Sequence, residues 1–381
     1  MKIGINTLTL VSEQSGGAYV YLTNLLPVLA DITTDIDLFY VFVSNINRNF
    51  FSIKQNNFKF ITIMGPMNFQ PYRILVEQLY LPFLMKKYKL DVFYNPWETL
   101  PLYLPCKGVM QIQNLLHFHS NIWWVPRYQK LKSFLILFLQ RYYYKVISRL
   151  SANLATRIIA VSENTKQIAC QSLNVNPNII ETIYHGINPC FLNKSPQKLK
   201  LGFNYILYVS AISPYKNMHK AIQALKIIRD NYQLRYHLLI IGPIRSNDYM
   251  DYLRKLIDTL NLEQHVHFLS HIPQQELADY YNDADLFIFP SECESFGIPV
   301  IEAMACGVPV IASNKSSVPE IAGDSAIIID PDNIEEFAQK MFIVLTDSET
   351  RNILIKNGIK RAKMFSWEKN ASKLLRVLKY S

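Results

Sequence analysis

The stretch 285–309, DLFIFPSECESFGIPVIEAMACGVP, decides how the rest of the chain is read. Leu286 to Phe289 form a short run of bulky apolar residues closed by Pro290 and Ser291. Such a run predicts a buried parallel strand ending at a loop. The loop carries Glu292, Glu294, Ser295 and Gly297. A helix is predicted to open at Pro299, whose fixed φ and missing N–H suit a first turn, and to stop at Gly307. Strand, glycine loop and helix N-terminus together make an anion site. The backbone N–H groups of Gly297, Ile298 and Val300 are expected to be free there, and the helix dipole favours negative charge. Glu294 sits in the loop and Glu302 about one turn inside the helix. Two carboxylates do not suit a bare phosphate. They suit a ligand that also offers hydroxyls, because an ionised carboxylate is a strong O–H acceptor. A diphosphate joined to a sugar and a ribose would satisfy the whole set; the bland alternative is an ordinary βα turn with solvated glutamates.

The run E-S-F-G-I-P-V-I-E-A-M-A-C-G-V-P-V-I-A-S (294–313) closely resembles the E-x7-E donor-site motif of glycosyltransferase family 4, retaining enzymes of the GT-B fold. The resemblance covers most of the C-terminal half and, more weakly, the N-terminal half. It implies an α/β fold class: two Rossmann-like, doubly wound domains facing across a cleft, with a C-terminal helix crossing back to the first. It also implies that Glu294 contacts the donor sugar, that Glu302 holds the ribose hydroxyls, and that Ser295, Phe296, Gly297 and Ile298 line the donor.

Bulk properties fit two domains of ordinary size. The chain has 381 residues, 50% of them hydrophobic and 18% charged, enough to build substantial cores. Five cysteines, Cys106, Cys170, Cys190, Cys293 and Cys306, show no C-x-x-C spacing, which argues for a reducing compartment and against a disulfide framework. MKIGINTLTL reads as a first buried strand rather than a signal peptide, and no stretch approaches a spanning helix. The expected location is cytoplasmic, with peripheral contact on the inner face of the cell membrane. The net charge of +9 suits nucleic acid, an anionic membrane or a phosphorylated substrate. No nucleic-acid motif accompanies it, so nucleic acid is not an expected partner.

Gly16 and Gly17 precede a helical pattern of Tyr19, Leu22, Leu25, Leu26 and Leu29. A diglycine at a helix start lets backbone amides approach a ligand, and the resemblance places such a loop against the donor phosphates. Strands are predicted at 39–43, 59–63, 92–94 and 109–113, alternating with helices such as 73–87. Gln113, Asn114, His117 and His119 follow the fourth of these, where doubly wound sheets bind ligands. Family members carry His-Asp where this chain has Gln113-Asn114, so His117 or His119 would have to take over the acceptor-side role from an extended segment. A metal site on that histidine pair lacks a third ligand. Residues 121–150 mix Trp123, Trp124, Arg127, Lys130, Lys132, Arg141, Lys145 and Arg149 with an apolar segment. That composition suits an interfacial membrane contact, or a buried helix flanked by solvated bases.

Domain bounds are expected at 1–190, a linker at 191–204, a donor domain at 205–364, and the returning helix at 365–381. In YILYVSAISPYKNMHKAIQAL, Lys216 projects from a strand-to-helix loop where its ammonium could meet a diphosphate. The family commonly has Gly-Arg before Lys-Asn; here Ala211 replaces that Arg, and Arg245 after HLLIIG is placed to compensate.

The expected reaction is retaining transfer of a hexose, with mannose among the options, from a GDP- or UDP-sugar to a glycan or lipid-linked acceptor for surface polysaccharide or lipopolysaccharide. Glu294, Lys216 and His117 or His119 are the catalytic candidates. Asp35/Asp37, Asp283/Asp285 and Asp330/Asp332 form D-x-D pairs, but no obligatory metal or cofactor is expected. The rival readings are a nucleotide-sugar epimerase or hydrolase on the same scaffold, and a degenerate protein that binds a sugar nucleotide or membrane without turnover. Oligomeric state is left open.

Overall fold

The computed structural model describes residues 1–12, 16–34, 36–118, 131–193, 199 and 201–381, with the side chains of 131–141 outside the description. The chain divides into two compact units. One is built from Met1–His119, Phe138–Gly186 and Ser366–Ser381, the other chiefly from Ile187–Phe365.

The first unit holds a parallel sheet of seven strands: β1 (Lys2–Asn6), β2 (Leu38–Ser44), β3 (Phe58–Ile63), β4 (Val92–Asn95), β5 (Lys107–Ile112), β6 (Arg157–Ala160) and β7 (Ile180–Thr182). Their order is β3-β2-β1-β4-β5-β6-β7. The second unit repeats this winding with β8 (Tyr205–Val209), β9 (His237–Ile241), β10 (Val266–Leu269), β11 (Leu286–Phe289), β12 (Val310–Ser313) and β13 (Ile327–Ile329), ordered β10-β9-β8-β11-β12-β13. Every residue of the central strands β8, β11 and β12 is buried, which is why they read as unbroken apolar runs. Each sheet reverses its winding at one pair, β1/β4 in the first unit and β8/β11 in the second. The carboxyl ends of such a pair are where an open α/β sheet leaves a crevice.

In the first unit the last helix, Trp367–Lys379, belongs to the core. Its Trp367, Ala371, Leu374, Val377 and Leu378 are buried in one cluster with Leu22, Leu25, Leu26 and Leu29 of the helix Gly17–Ile32. Ser366 Oγ accepts from Lys369 N at 3.1 Å and caps it. Gly186 is required where this helix begins, since a Cβ there would lie 2.3 Å from the Trp367 nitrogen.

One expectation needs correction. Phe191, read as the start of the linker, is fully buried in the second unit, edge-on to Tyr281 at 5.7 Å; an aromatic ring of that size belongs to a core rather than a solvated connection. The helix expected at 73–87 is present and runs unbroken over 70–88, with a π-helical turn, Val76–Tyr80, between Gln70–Leu75 and Leu81–Tyr88. Pro82 has no N–H for the carbonyl four residues back and its ring crowds that carbonyl. The wider turn, in which Leu81 N donates to Val76 O, accommodates it.

Candidate active site

The site grows from the β8/β11 switch point. After β8 the chain makes a 3₁₀ turn, Pro214–Lys216, and Asn217 turns left-handed (φ 57°) to open the helix Met218–Asp230. Asn217 Nδ2 donates to Pro290 O at 2.9 Å, tying this turn to the end of β11. Lys216 is thereby held 8% exposed. Its Nζ is 2.5 Å from Glu294 Oε1, 4.8 Å from the ring centre of Tyr215 and 5.7 Å from that of Phe289. Burial pulls the ammonium pKa down, but the Glu294 charge and hydrogen bond, with Tyr215, outweigh it and leave the pKa raised. Lysine and glutamate, read separately in the sequence as a diphosphate cation and a sugar-hydroxyl acceptor, are one ion pair.

The Glu294 backbone is clamped as well. Its carbonyl accepts from Ser316 Oγ at 2.6 Å and Ser317 Oγ at 2.8 Å, and its N–H donates back to Ser316 Oγ at 3.2 Å. Ser316 itself takes a left-handed φ of 58° to do this. Gly297 (φ 96°) caps the helix Ile298–Ala305, with Pro299 in its first turn. The expectation of a free Val300 amide is corrected: its N–H donates to Gly297 O at 3.0 Å, closing a tight first turn. The amides of Gly297 and Ile298 have no acceptor among the described residues, so the open end of this helix consists of these two.

Glu302, 4% exposed, bonds with Tyr281 and Gln274 rather than with Lys216. Tyr281 Oη donates to its Oε2 at 3.0 Å. Burial pushes its pKa up to about 7, with the Tyr281 and Gln274 hydrogen bonds acting in the opposite direction. Gln274 Oε1 in turn accepts from Asn188 Nδ2 at 2.9 Å. Ser295 is half-buried and Phe296 buried, its ring edge-on to Phe365. Arg245 is exposed beyond β9, and its charge bears on Tyr215, the neighbour of Lys216. The members of two D-x-D pairs are spoken for: Asp285 by Arg351, Asp330 by Lys315, Asp332 by Lys220, and Asp283 by the Leu199 amide. Among the described residues no group of three or more His, Cys, Asp or Glu side chains is placed to hold a metal ion.

In the first unit, Gly16 (φ 64°) and Gly17 stand exposed at the start of the helix Gly17–Ile32, with open space where a Cβ would be. Gln113, Asn114 and His117 follow β5 as expected, although His117 ends a 3₁₀ turn, Leu115–His117, rather than an extended segment, because Asn114 caps it. The Asn114 amide lies 3.3 Å from His117 Nε2, and the His117 ring stacks on Tyr144 at 4.6 Å. His119, with residues 121–130 of the aromatic and basic segment, lies outside the described residues. Sequence reasoning missed what holds this loop. Glu98, 6% exposed, accepts from the backbone N–H groups of Gln113 (2.9 Å) and Asn114, and burial raises its pKa to about 7. The one signal was an isolated acid a few residues after a predicted strand, in NPWETL.

Comparison with known proteins agrees with this arrangement. The sequence profile described as "Glycosyltransferase Family 4" matches residues 15–190, and that described as "Glycosyl transferases group 1" matches 192–361. The chain is similar to O-antigen chain mannosyltransferase B of Escherichia coli, 28% identical over 59% of this chain and 62% of that one. It is similar also to O-antigen chain mannosyltransferase RfbU of Salmonella typhimurium, 32% identical over 51% of this chain and 53% of that one. The chain thus spans only about half to three-fifths of these relatives' length. Among solved structures, Anabaena HepE in complex with UDP and glucose superimposes with a TM-score of 0.74 at 20% identity, over 100% of this chain and 99% of that one. The two parallel α/β units have the GT-B glycosyltransferase fold. With adjoining family profiles across nearly its whole length, the chain belongs to glycosyltransferase family 4.

Proposed function

We propose that the chain is a retaining hexosyltransferase acting on a nucleotide-diphosphate sugar, with a glycan or lipid-linked acceptor of surface polysaccharide or lipopolysaccharide biosynthesis. The O-antigen mannosyltransferase relatives favour mannose, and hence a GDP-sugar; the HepE complex keeps a UDP-sugar in view. The observation that carries the reading is the buried Lys216–Glu294 pair at the β8/β11 switch point, in the same unit as the open amides of Gly297 and Ile298. The amides and the helix dipole take the diphosphate, where charge develops as the bond to the anomeric carbon breaks. Lys216 supports that charge, with Arg245 as the second cation in place of the residue that Ala211 lacks. Glu294 accepts sugar hydroxyls and Glu302 those of the ribose. The acceptor oxygen bonds to the anomeric carbon on the face the diphosphate leaves, and its proton passes to the departing diphosphate. Gln113, Asn114 and His117 act on the acceptor side, and no metal takes part.

Work at the inner face of the cell membrane is part of this reading. The helical stretch 70–88 exposes Leu75, Leu79 and Phe83 at a spacing of four, beside Lys86 and Lys87. The helix Leu131–Leu154 exposes Tyr142, Val146, Leu150 and Leu154 in the same way, with Lys145 and Arg149 among them. Apolar rows flanked by bases suit an anionic lipid surface. Among the described residues no helix is long and apolar enough to cross a membrane.

The test is thermal shift against UDP- and GDP-hexoses. A ligand held by the native state raises the melting temperature, and Lys216→Ala and Glu294→Gln should abolish the rise. Melting curves that no nucleotide sugar moves would overturn the proposal.

A further inference from the structure

The first unit has a switch point of its own, and polar side chains gather there. β1 ends on Asn6 and β4 on Asn95, the two strands between which the sheet reverses. Asn6, 1% exposed, reaches across: its Nδ2 donates to Asn95 Oδ1 at 3.1 Å and to Glu77 Oε1 at 3.3 Å. Its own Oδ1 accepts from Leu8 N at 3.1 Å, which fixes the orientation of the amide. Thr9 Oγ1 donates to the same Glu77 oxygen at 3.4 Å. Glu77 is half-buried, and its Oε2 has no donor among the described residues. Burial raises the pKa of this carboxyl, with the Arg73 charge and the Asn6 and Thr9 hydrogen bonds acting in the opposite direction.

Glu77 lies in the π-helical turn Val76–Tyr80. Such turns insert a residue into a helix and re-aim side chains, and they gather at functional sites. Here the turn brings a carboxylate to the carboxyl ends of β1 and β4, where a doubly wound sheet binds its ligand. One oxygen is fixed by Asn6 and Thr9 while the other stays available, an arrangement that presents an oriented acceptor to hydroxyl groups. A phosphate would meet like charge on that oxygen. An uncharged polyol would not.

We infer that Glu77, oriented by Asn6 and Thr9, binds the hydroxyls of a neutral sugar ring on the first unit, the acceptor's terminal residue. This rests on the sugar-transfer reading but on none of the residues that bind the donor. Glu77 holds the ring, and Asn6 and Thr9 hold Glu77.

The experiment uses the full chain and methyl α-D-mannopyranoside, methyl β-D-glucopyranoside and methyl β-D-galactopyranoside as probes in saturation-transfer NMR, with GDP and UDP present to occupy the second unit. At least one glycoside should give signals that persist under nucleotide and fall about tenfold in Glu77→Gln, the worth of one hydrogen bond to a charged group. Should Glu77→Gln melt well below the parent, Thr9→Val, which removes only a hydroxyl donor, carries the test with a smaller expected loss. Signals unchanged in the variant, signals displaced by nucleotide, or no signal from any of the three glycosides would each overturn the inference. Failure of the donor reading looks different: nucleotide sugars would leave the melting temperature unmoved while Glu77-dependent glycoside signals remained.

Discussion

Lys216 and Glu294 are 78 residues apart in sequence and 2.5 Å apart in space, with side chains only 10% and 12% exposed. The pair couples the loops that follow β8 and β11, so it is both a structural joint and the centre of the proposed donor site. Without ligand the two charges neutralise each other. A diphosphate and a sugar can then exchange partners with them without leaving a bare charge in a dry place.

Removing one partner should therefore be worse than removing both. Lys216→Met leaves a buried carboxylate unpaired and is expected to destabilise the second unit by about 3 kcal/mol. Combining it with Glu294→Gln should restore much of that loss. Urea unfolding of the two single variants and the double variant checks this as a cycle. Additive losses would mean that the pair contributes no coupling. Transfer activity should be lost in all three, because restored stability does not restore the ligand contacts.

Two glycines make opposite predictions. At Gly297 a Cβ would find only Val300 and Val318 side chains, both at 3.9 Å, so space is ample and the positive φ is the only obstacle. Gly297→Ala should cost about 1 kcal/mol of stability yet weaken nucleotide-sugar binding markedly, because relaxing that φ turns the Gly297 and Ile298 amides. Gly242 has φ 154°, and a Cβ there would lie 2.1 Å from the Ser210 carbonyl oxygen. Backbone cannot yield as a side chain can, so Gly242→Ala should fail to give a folded second unit. Circular-dichroism melts paired with nucleotide titrations separate the two outcomes.

What could be read from the sequence follows from how local each feature is. The β11 strand, the glycine turn and Pro299 in the first helical turn are all encoded within 285–309, and each was legible. The Lys216–Glu294 contact was not, because it depends on which two strands are neighbours at the switch point. Glu302 was recognised but its neighbours were not: Tyr281 lies in a helix that reads as ordinary amphipathic sequence. Glu77 was hidden more thoroughly. Its partner Asn6 lies 71 residues away at the end of β1, a pairing that no local pattern announces. Glu98 binds backbone rather than side chains, so the isolated acid in NPWETL is the one mark it leaves in the sequence.

The exposed rows on the first unit predict salt-sensitive adsorption. Vesicles with about 30% anionic lipid should retain the protein at low salt and release much of it near 0.5 M, where screening shortens the reach of surface charge to a few ångströms. Leu79→Ser combined with Phe83→Ser should weaken adsorption without altering nucleotide-sugar binding, since neither residue belongs to the proposed donor set. Equal retention by neutral and anionic vesicles would remove the electrostatic part of the proposal.

Glu302 gives a prediction whose sign can be fixed in advance. Its pKa rises from an ordinary 4.5 to about 7 on folding because burial disfavours the carboxylate. Between those values the folded chain holds more proton than the unfolded one, so this group's contribution to stability falls as pH rises from about 4.5 to about 7 and levels off above. The full change is at most about 3 kcal/mol. Glu98 is raised to about 7 by the same cause and acts in the same direction, so the wild-type curve alone cannot assign the effect. Glu302→Gln should flatten part of the slope in melts taken from about pH 5 to about pH 8. Ligand binding must then run the other way. Ribose hydroxyls donating to Glu302 stabilise its ionised form and lower its pKa, so nucleotide binding near pH 6.5 should expel a proton. Calorimetry in buffers of different ionisation enthalpy measures that proton directly, and Glu302→Gln should no longer release it. Identical heats in all buffers for the wild-type chain, or proton uptake, would show that the ribose hydroxyls are held by some other group.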